Sequence, residues 1–558
     1  MSKPKLKASL CAVTLALCPY AMAETGEAQQ VQSDIQLWID RLQDETDKAA
    51  PVDYGYGPGV SIPQAQTLSE GNVSTVDIAA AQIPTGGSNA HLAGVFGAPI
   101  SWPIIPIHVV LLPDGRVMSY GTNQMGQQGA QLIYDVWNSK LGTGASSHDV
   151  LPNTTKSDIF CSSQSVMLSG QVLITGGDLT VNGVRNFARN NTNIFTPSSD
   201  TLSANTPMNY ARWYGSLVGL SNGQLVVFGG YQNQVTKQSV EPATTPELYN
   251  PETHAWVALH GATSLPAFGN SGNWYYPRAY EGPGGKLLVV GNDGSLYSVS
   301  TAGSGSISRY TVTVPAGASD LPTVPFAPGK LLSIRDNRTV VVIDYTNATP
   351  VVTRKASIDA VRFWANGTVM ADGRVLITGG SAVANQLTSV DYRAEIWDPS
   401  TGLWTAGASA AKPRLYHSNS LLLPDATVLT GGGGAPGPVI NLNAEIYYPP
   451  YLYDSDGRPA IRPTISAVSP RSLNPGGTLD ITVGSTDQIG RLTFVRTGSS
   501  THSNNSDQRF IVLSFKQIGQ NLTATLPTNP VTLVPGHYML FSFDKSGVPS
   551  VAQLVTVE

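Results

Sequence analysis

Short apolar strands recur along the middle of the chain, each joined to the next by a polar turn and closed by paired glycines. The clearest copy runs Ala371-Asp-Gly-Arg-Val-Leu-Ile-Thr-Gly-Gly380, and similar segments occupy residues 112–121, 169–177 and 221–230. An Asp-Gly or Asn-Gly turn between apolar runs is typical of a β-hairpin. The pattern therefore predicts a series of antiparallel hairpins that begins near residue 103.

A later strand of the unit carries an aromatic residue before an Asn-Pro or Asp-Pro turn, as in residues 247–251 and 394–399. Repeats of roughly 40 to 60 residues with hairpin turns, paired glycines and an aromatic residue resemble the kelch repeats of a β-propeller. Seven units can be counted, so residues 95–455 predict a seven-bladed kelch-type propeller. The units begin near Pro106, Cys161, Tyr214, Tyr276, Pro328, Trp364 and Tyr416.

The repeat stops near residue 455, and residues 456–558 alternate short apolar strands with turns. A segment of about 100 residues with regularly spaced turns predicts a small immunoglobulin-like β-sandwich, here of the early-set type. The predicted fold class is therefore all-β, with a propeller followed by a sandwich.

The N-terminal residues have the three parts of an export signal. A basic start and an apolar stretch precede Ala21-Met22-Ala23, which has the small-residue pattern of a cleavage site. We expect residues 1–23 to be a cleaved signal peptide and the protein to be secreted or periplasmic, either free or associated with the cell surface. Residues 24–94 form an N-terminal extension in which apolar spacing predicts one short helix, at 31–48.

Composition narrows the possible partners. Charged residues make up 13% of the chain, against 56 glycines and 39 prolines, which suits many short strands and turns. A net charge of −5 supplies neither the basic stripe that nucleic acid requires nor a polybasic patch for lipid. No later segment has the roughly 20 uninterrupted apolar residues of a transmembrane helix. We expect a monomer that acts on a small molecule.

Cys161 is the only cysteine that remains once the leader, with Cys11 and Cys18, is removed. Exported proteins normally pair their cysteines as disulfides, so this one is either a small buried side chain or a chemically modified residue. In four units, the residue fifteen positions before the first glycine of the pair occupies the same place in the repeat. Those residues are Cys161, Tyr214, Trp364 and Tyr416. Equivalent propeller positions lie on one ring about the axis, so these side chains should meet at one mouth of the channel.

Four motifs contain or accompany this cluster: Phe160-Cys161, Arg212-Trp213-Tyr214, Tyr416-His417-Ser418 and Thr501-His502-Ser503. They resemble the motifs of the copper radical oxidases, the family of galactose oxidase and glyoxal oxidase. Each motif alone is weak, but the four occur in the right order with the right partners. The resemblance extends from about residue 95 to the last residue.

The resemblance implies one copper ion per chain, held by Tyr214, Tyr416, His417 and His502. It also implies a thioether bond between Cys161 and the ring of Tyr214, with a radical on that ring. Nitrogen and oxygen donors in a tetragonal site suit Cu(II). The polar residues around His502 predict a loop tip, which could reach into the channel. The implied reaction uses Tyr416 as base and oxidises a primary alcohol or aldehyde with O2, giving the aldehyde or acid and hydrogen peroxide.

Two departures from galactose oxidase bear on the substrate. Tyr231 and Gln232 stand where that enzyme has the tryptophan that stacks on its cross-link, so we expect Trp364 to take the stacking role. The carbohydrate-binding module of galactose oxidase has no counterpart in residues 24–94. Both departures favour a small alcohol or aldehyde, as in the glyoxal oxidases.

Two other functions remain open on the sequence alone. A secreted kelch propeller could bind glycans or a protein partner without catalysis, since propellers host many functions. The same histidines could also hold a redox-inactive metal without a cross-link. Taken singly, a tyrosine or histidine at a strand start is most simply a packed core residue, and we expect His108 to be one. The joint presence of all the motif residues favours the oxidase.

Overall fold

Seven β-sheets follow one another along residues 95–448, and a further β-domain completes the chain. The computed structural model describes residues 83–181, 184–232 and 241–558, so the predicted signal peptide and the predicted helix at 31–48 lie outside the described residues. The seven sheets confirm the seven-bladed propeller. Within the described part of the chain, no helix is both long and apolar enough to cross a bilayer.

Each blade is an antiparallel sheet whose first strand lies nearest the propeller axis. The segment before blade 1 contains α1 (Ala90–Ala93), β1 (Val95–Phe96) and β2 (Ile100–Ser101). Blade 1 contains β3 (Pro106–Leu111), β4 (Val117–Gly121), β5 (Ile133–Trp137) and β6 (His148–Pro152). Blade 2 contains β7 (Ser163–Val166), β8 (Val172–Thr175), the hairpin β9 (Asp178–Val181) and β10 (Val184–Ala188), β11 (Thr192–Thr196) and β12 (Thr201–Asn205). Blade 3 contains β13 (Trp213–Gly219), β14 (Leu225–Tyr231), β15 (Glu247–Asn250) and β16 (Ala255–Ala258).

The helix α2 (Leu265–Phe268) leads from blade 3 to blade 4. Blade 4 contains β17 (Arg278–Gly282), β18 (Lys286–Val290), β19 (Ser295–Ser300) and β20 (Ser306–Thr313). Blade 5 contains β21 (Thr323–Ala327), β22 (Lys330–Ile334), β23 (Val340–Asp344) and β24 (Val351–Lys355). Blade 6 contains β25 (Asn366–Val369), β26 (Val375–Thr378), β27 (Arg393–Trp397) and β28 (Trp404–Ser409). Blade 7 contains β29 (Ser418–Leu422), β30 (Val428–Gly432) and β31 (Asn443–Tyr448).

The second strand of each blade is apolar because blades pack against each other through both faces of the sheet. Every residue of β8 and of β26 is buried, although each strand has only four residues. The turn before β26 contains Gly373, whose φ of 85° suits glycine. The repeated Asp-Gly turn and the apolar run after it are therefore both explained by blade packing.

The ring of blades closes on the chain's own N-terminal segment. β1 pairs with β31 through Val95 and Tyr448, and β2 pairs with the same strand through Ile100 and Ala444. Blade 7 thus combines strands from both ends of the propeller sequence, which fastens the first blade to the last.

One predicted blade boundary is wrong. The weakest repeat was expected to begin near Pro328, but β21 begins at Thr323, and Pro328 lies in the turn between β21 and β22. The first two strands of this blade are joined by the tight turn at Gly329, with φ 69°. No glycine follows its second strand, whereas the other six blades have at least one glycine at or just after the end of theirs, so the repeat signal is missing here.

The C-terminal domain is an eight-stranded arrangement around its own apolar core. Its strands are β32 (Ile465–Ser469), β33 (Ser472–Leu473), β34 (Thr478–Val483), β35 (Ile489–Arg496), β38 (Phe510–Ile518), β39 (Asn521–Thr525), β40 (Gly536–Asp544) and β41 (Gln553–Val557). Between β35 and β38 the chain leaves this domain as a short hairpin, β36 (Ser499–Thr501) and β37 (Asn504–Asn505). β36 pairs with the innermost strand of blade 1, Val109 opposite Ser500. The predicted loop tip therefore does enter the propeller.

Candidate metal centre

Cys161, Tyr214 and Trp364 occupy one equivalent position in blades 2, 3 and 6, which we call the ring position. In each of these blades, the residue two positions after the ring position lies on the first strand and pairs with the residue just before the glycine pair. These pairs are Ser163 with Thr175, Ser216 with Phe228, and Asn366 with Thr378. All three ring-position residues have left-handed backbone, with φ of 53°, 66° and 64°. Such a conformation costs a non-glycine residue about 1–3 kcal/mol and is concentrated at functional sites.

Blade 7 departs from the predicted register by one residue. Asn419 pairs with Gly431, so the ring position belongs to His417, whose φ is 66°. Counting back from Gly431 had assigned this position to Tyr416. The equivalent glycine is instead Gly432, which has the positive φ of 74° seen at this step in the other blades. Tyr416 and His417 both precede β29, as expected, and their rings stack with centroids 3.8 Å apart.

A buried arginine anchors the segment before the ring position in three blades. In each, the guanidinium bonds to the carbonyl of the first glycine and to a buried glutamate of the third strand. The pairs are Arg212 with Glu247 at 3.0 Å, Arg362 with Glu395 at 3.1 Å and Arg414 with Glu445 at 2.9 Å. One residue separates the arginine from the ring position in blades 3 and 6, but two do in blade 7. This extra residue lets blade 7 present two adjacent side chains, Tyr416 and His417, to the site.

The Arg414–Glu445 pair predicts two effects that can be measured separately, one on the stability of the protein and one on copper binding. Glu445→Gln should lower the free energy of unfolding by about 3 kcal/mol, because it leaves the buried Arg414 guanidinium without its counter-charge. It should also weaken copper binding, since Arg414 positions Tyr416 and His417. The matched control is Glu395→Gln, which breaks the same anchor in blade 6. Denaturant unfolding measures the loss of stability, and copper titration measures the affinity. This account would be contradicted if both variants kept the wild-type copper affinity.

His502 reaches the channel at the tip of the β36–β37 hairpin. Its side chain is fully buried, and its backbone φ is 48°. Thr501 beside it donates a hydrogen bond to the carbonyl of Ile107 in blade 1 at 3.1 Å. Arg278 of blade 4 donates to the carbonyl oxygens of His502 and Ser503 at 3.4 and 3.2 Å. The tip is therefore held from two sides of the channel.

The chain that follows the tip is tied to two more blades. Asp507 accepts hydrogen bonds from the Ser165 hydroxyl at 2.6 Å and the Val166 amide at 3.0 Å, and it pairs with Arg496 at 2.8 Å. Gln508 bonds to both the amide and the carbonyl of Val369 in blade 6, each at 3.0 Å. These contacts hold His502, which the C-terminal hairpin carries, among the side chains of the propeller.

The predicted site residues converge at one place. The Sγ atom of Cys161 lies 3.6 Å from Nε2 of His417 and 3.7 Å from Nε2 of His502. The Tyr214 and Tyr416 hydroxyls are 2.8 Å apart. The His502 ring lies 4.6 Å from that of His417, 5.4 Å from Tyr416 and 5.6 Å from Tyr214, measured between centroids. Within the described residues, Cys161, His417 and His502 form a cluster whose ligand atoms lie within 4.8 Å of one another.

Both histidines direct an unprotonated Nε2 into this cluster. Nδ1 of His417 donates to the carbonyl of Gly434 at 2.7 Å, since a carbonyl can only accept. Nδ1 of His502 lies 2.5 Å from Thr501 Oγ1, whose proton is already committed to Ile107, so Nδ1 must be the donor there too. Burial lowers the pKa of His417 to about 3 and lowers the pKa of His502 well below its ordinary value. Neutral imidazoles with a fixed tautomer are ready metal ligands.

The two other reactive groups are protonated in the metal-free protein. Burial raises the pKa of the Tyr214 hydroxyl, as do the neighbouring Cys161 and Tyr416. Burial likewise raises the pKa of the Cys161 thiol, against a hydrogen bond from Tyr214 that lowers it. A cation placed among these groups would reverse this balance for a phenol that ligates it.

Trp364 lies in the site but faces a different ring from the one expected. Its indole is 4.4 Å from the Tyr416 ring and 6.0 Å from Tyr275. Two rings lie against Tyr214: its neighbour Trp213, at 4.3 Å and an interplanar angle of 31°, and Tyr275, at 4.4 Å and 33°. The Tyr275 hydroxyl also donates to that of Tyr416 at 3.4 Å. Sequence reasoning missed Tyr275 because it sits in the connection between blades 3 and 4, outside the repeat register.

His108 also lies in the channel, as a packed residue. It stacks on Tyr120 at 4.4 Å, its Nδ1 bonds to Gln164 at 2.9 Å, and its ring is 5.7 Å from that of His502. These contacts agree with the structural role expected for it.

The donor set fits a copper ion. Two imidazole nitrogens and two phenol oxygens converge, and such nitrogen and oxygen donors suit tetragonal Cu(II). The hydrogen bonds to Nδ1 of both histidines supply the outer contacts that ligand histidines normally have. Tyr214, Tyr416, His417 and His502 would thus hold the metal.

Comparison with known proteins gives consistent matches. The family described as "Galactose oxidase-like, Early set domain" matches residues 462–557. Galactose oxidase from Gibberella zeae is 28% identical over 499 residues, which cover 83% of this chain and 70% of that protein. Aldehyde oxidase GLOX1 from Arabidopsis thaliana is 22% identical over 488 residues, covering 76% of this chain and 75% of that protein. A solved fungal alcohol oxidase of the AA5 family, in complex with copper, aligns with a TM-score of 0.75 and 25% identity over 83% of this chain and 99% of that one.

A propeller with this buried donor set and these relatives is a copper-dependent oxidoreductase. The chain is a homologue of the copper radical oxidases, with relatives among the galactose oxidases and the aldehyde oxidases. These relatives decide in favour of an enzyme over the non-catalytic propeller that the sequence left open.

Proposed function

We propose that the chain oxidises a small primary alcohol or aldehyde with O2, giving the aldehyde or acid and hydrogen peroxide, with a preference like that of the glyoxal oxidases. The observation that carries the proposal is the convergence of the Cys161 thiol, two imidazole Nε2 atoms and the Tyr214–Tyr416 phenol pair in one buried cluster. Copper held by Tyr214, Tyr416, His417 and His502 would supply a Lewis acid and a one-electron acceptor.

The two phenols divide the hydrogens that leave the substrate. Tyr416 takes the hydroxyl proton of the alcohol, as a general base. The oxidised Tyr214 takes a hydrogen atom from the adjacent carbon. The carbonyl product retains neither hydrogen, and both hydrogens with two electrons pass to O2 as hydrogen peroxide. The 2.8 Å contact between the two hydroxyls supports a shared substrate position.

We also propose that a thioether joins Cys161 to the Tyr214 ring. The carbon–sulfur bond replaces the thiol S–H and one ring C–H, and O2 accepts the two electrons and two protons that are released. A hydrogen bond between Cys161 and Tyr214, and the complete burial of Cys161, support this pairing. A thioether substituent would make the ring easier to oxidise.

Tyr275 is the residue that we propose shields this ring. It covers Tyr214 at 4.4 Å, is only 7% exposed and bonds to Tyr416. Trp364, expected earlier in this role, would instead cover Tyr416. Shielding matters because a buried radical persists only where water and other reductants are excluded.

An aromatic wall supports a small, weakly polar substrate. Tyr231, Trp274, Tyr275 and Trp364 pack around the metal ligands. The relatives include an aldehyde oxidase, whose name gives an aldehyde as its substrate. They also include galactose oxidase, which is more similar to this chain in sequence, so galactose is the competing candidate substrate. A higher kcat/KM for galactose than for glyoxal-type aldehydes would reject the proposed preference. We further propose that the protein is exported, which the leader pattern in residues 1–23 supports, and that it acts as a monomer.

The cross-link can be tested by mass. Purified protein loaded with Cu(II) under air should lose two hydrogens relative to the reduced chain, and the thiol of Cys161 should no longer react with alkylating reagents. Cys161→Ser should keep its full mass and lose most of its oxidase activity while still binding copper. A wild-type thiol that stays reactive after copper and O2 treatment would disprove the cross-link.

A further inference from the structure

A continuous series of aromatic rings leads from Tyr214 toward the protein surface. The Tyr275 ring lies 4.4 Å from Tyr214, and the Trp274 ring lies 5.6 Å from Tyr275. Tyr214 and Tyr275 are buried, whereas Trp274 is half-buried. The series therefore begins at the proposed radical residue and ends at a ring that solvent can reach.

A second series ends at the same indole. The Trp213 ring lies 4.3 Å from Tyr214, Tyr231 lies 5.0 Å from Trp213, and Trp274 lies 5.4 Å from Tyr231. Trp213 and Tyr231 are also buried. Two independent series of ring contacts thus converge on Trp274, which comes from the connection between blades 3 and 4.

Tyrosine and tryptophan rings are among the side chains most easily oxidised by one electron, and rings in contact conduct an electron better than aliphatic packing. Resting on the proposed function, we propose that Trp274 is the electron port of the site, where a soluble one-electron carrier oxidises or reduces Tyr214. Oxidation removes one electron from Tyr214 through the rings to an outer-sphere acceptor at Trp274. A copper ion bound to Tyr214 would favour its phenolate form, so this oxidation removes one electron and no proton.

The port would let the cell control how much enzyme is active. A site that has lost the Tyr214 radical holds one more electron than the active site, so it can no longer accept two electrons from the substrate. With a port, a diffusing one-electron oxidant restores it without entering the buried site. A reductant at the same indole would inactivate it, so the redox state of the surroundings would set the active fraction.

Trp364 is the other half-buried indole near the site and offers the rival route. It lies 4.4 Å from Tyr416 but 6.0 Å from Tyr275, so its path to Tyr214 is less direct. The two routes make opposite predictions for single variants.

The experiment mixes copper-loaded, radical-free enzyme with excess hexachloroiridate(IV) in a stopped-flow spectrometer. The readout is the rate at which the organic radical appears, followed by absorption and checked by electron paramagnetic resonance. Trp274→Phe should slow this rate by at least about tenfold, and Trp274→Tyr should restore much of it because tyrosine is again oxidisable. The control is Trp256→Phe, another half-buried indole of blade 3, which contacts Tyr249 and should leave the rate unchanged.

Each remaining outcome decides the proposal. Equal rates for wild type and Trp274→Phe, or a slower rate in Trp364→Phe alone, would overturn the port. Should Trp274→Phe lose copper, prolonged oxidation of the wild-type enzyme still tests it, because added oxygen should accumulate at Trp274 before other tryptophans. If the wild-type enzyme forms no radical and no cross-link, the proposed function itself fails, and the port fails with it.

Discussion

Tyr214→Phe is expected to bind copper through the remaining ligands and to lose at least about a thousandfold in kcat, a barrier increase of about 4 kcal/mol. Phenylalanine keeps the ring packing against Tyr275 and Trp213, whose centroids lie 4.4 and 4.3 Å away. It lacks the hydroxyl that would carry the radical and that bonds to Tyr416. Hydrogen peroxide release under substrate saturation measures the loss, and metal analysis measures the bound copper.

The matched control for this variant is Tyr120→Phe. Tyr120 is another fully buried channel tyrosine, bonded to Ser162 at 3.0 Å and to Gln164 at 3.1 Å, and it belongs to no proposed ligand set. Its loss should reduce stability modestly and leave the copper site intact. If Tyr214→Phe retained a tenth or more of the wild-type kcat, Tyr214 could not be the residue that accepts hydrogen from the substrate.

The propeller was predictable because every blade packs against its neighbours in the same way, so the same sequence features recur. A four-stranded blade needs an apolar second strand, a tight turn before it and glycines after it, and these features are visible in β8, β14 and β26. Blade 5 has no glycine after its second strand, so its start was misplaced from Thr323 to Pro328. Local turn chemistry can therefore place six of the blades, while the remaining one follows only from closure of the ring.

The meeting of these side chains in the channel was predictable, but their exact register was not. An extra residue after Arg414 shifts the ring position of blade 7 from Tyr416 to His417, and the run of four glycines that begins at Gly431 hides this shift. Left-handed backbone at Cys161 and Tyr214 leaves no trace in residue type either, since neither is glycine. These features depend on tertiary anchors such as the Arg414–Glu445 pair.

Residues in the connections between blades were the hardest to foresee. Tyr275 and Trp274 lie between α2 and β17, in a segment that shares no spacing with the repeat. Their contact with Tyr214 depends on how blade 4 packs beside blade 3. Trp364 was expected to stack on Tyr214 because it shares the ring position, but it lies three blades away from Tyr214 and packs on the Tyr416 ring of the next blade instead.

His502→Ala should lower copper affinity by at least about a hundredfold, because removing a ligand costs more than the 10- to 100-fold typical of an outer contact. The β36–β37 hairpin is held by Thr501, Arg278, Asp507 and Gln508, so the backbone around the missing imidazole should stay in place. Competition with a chelator gives the affinity, and the copper-induced increase in the free energy of unfolding should shrink in parallel.

The control for His502→Ala is His108→Gln, which removes the third imidazole of the channel but, on the present assignment, no ligand. Glutamine can keep a hydrogen bond to Gln164, so copper affinity should stay near that of the wild type. Equal losses in the two variants would mean that the metal lies between His108 and His502, whose rings are 5.7 Å apart, and not among the phenols. Loss in His502→Ala alone would tie metal binding to the hairpin and so make the C-terminal domain part of the catalytic unit, because the propeller then contributes only three of the four ligands.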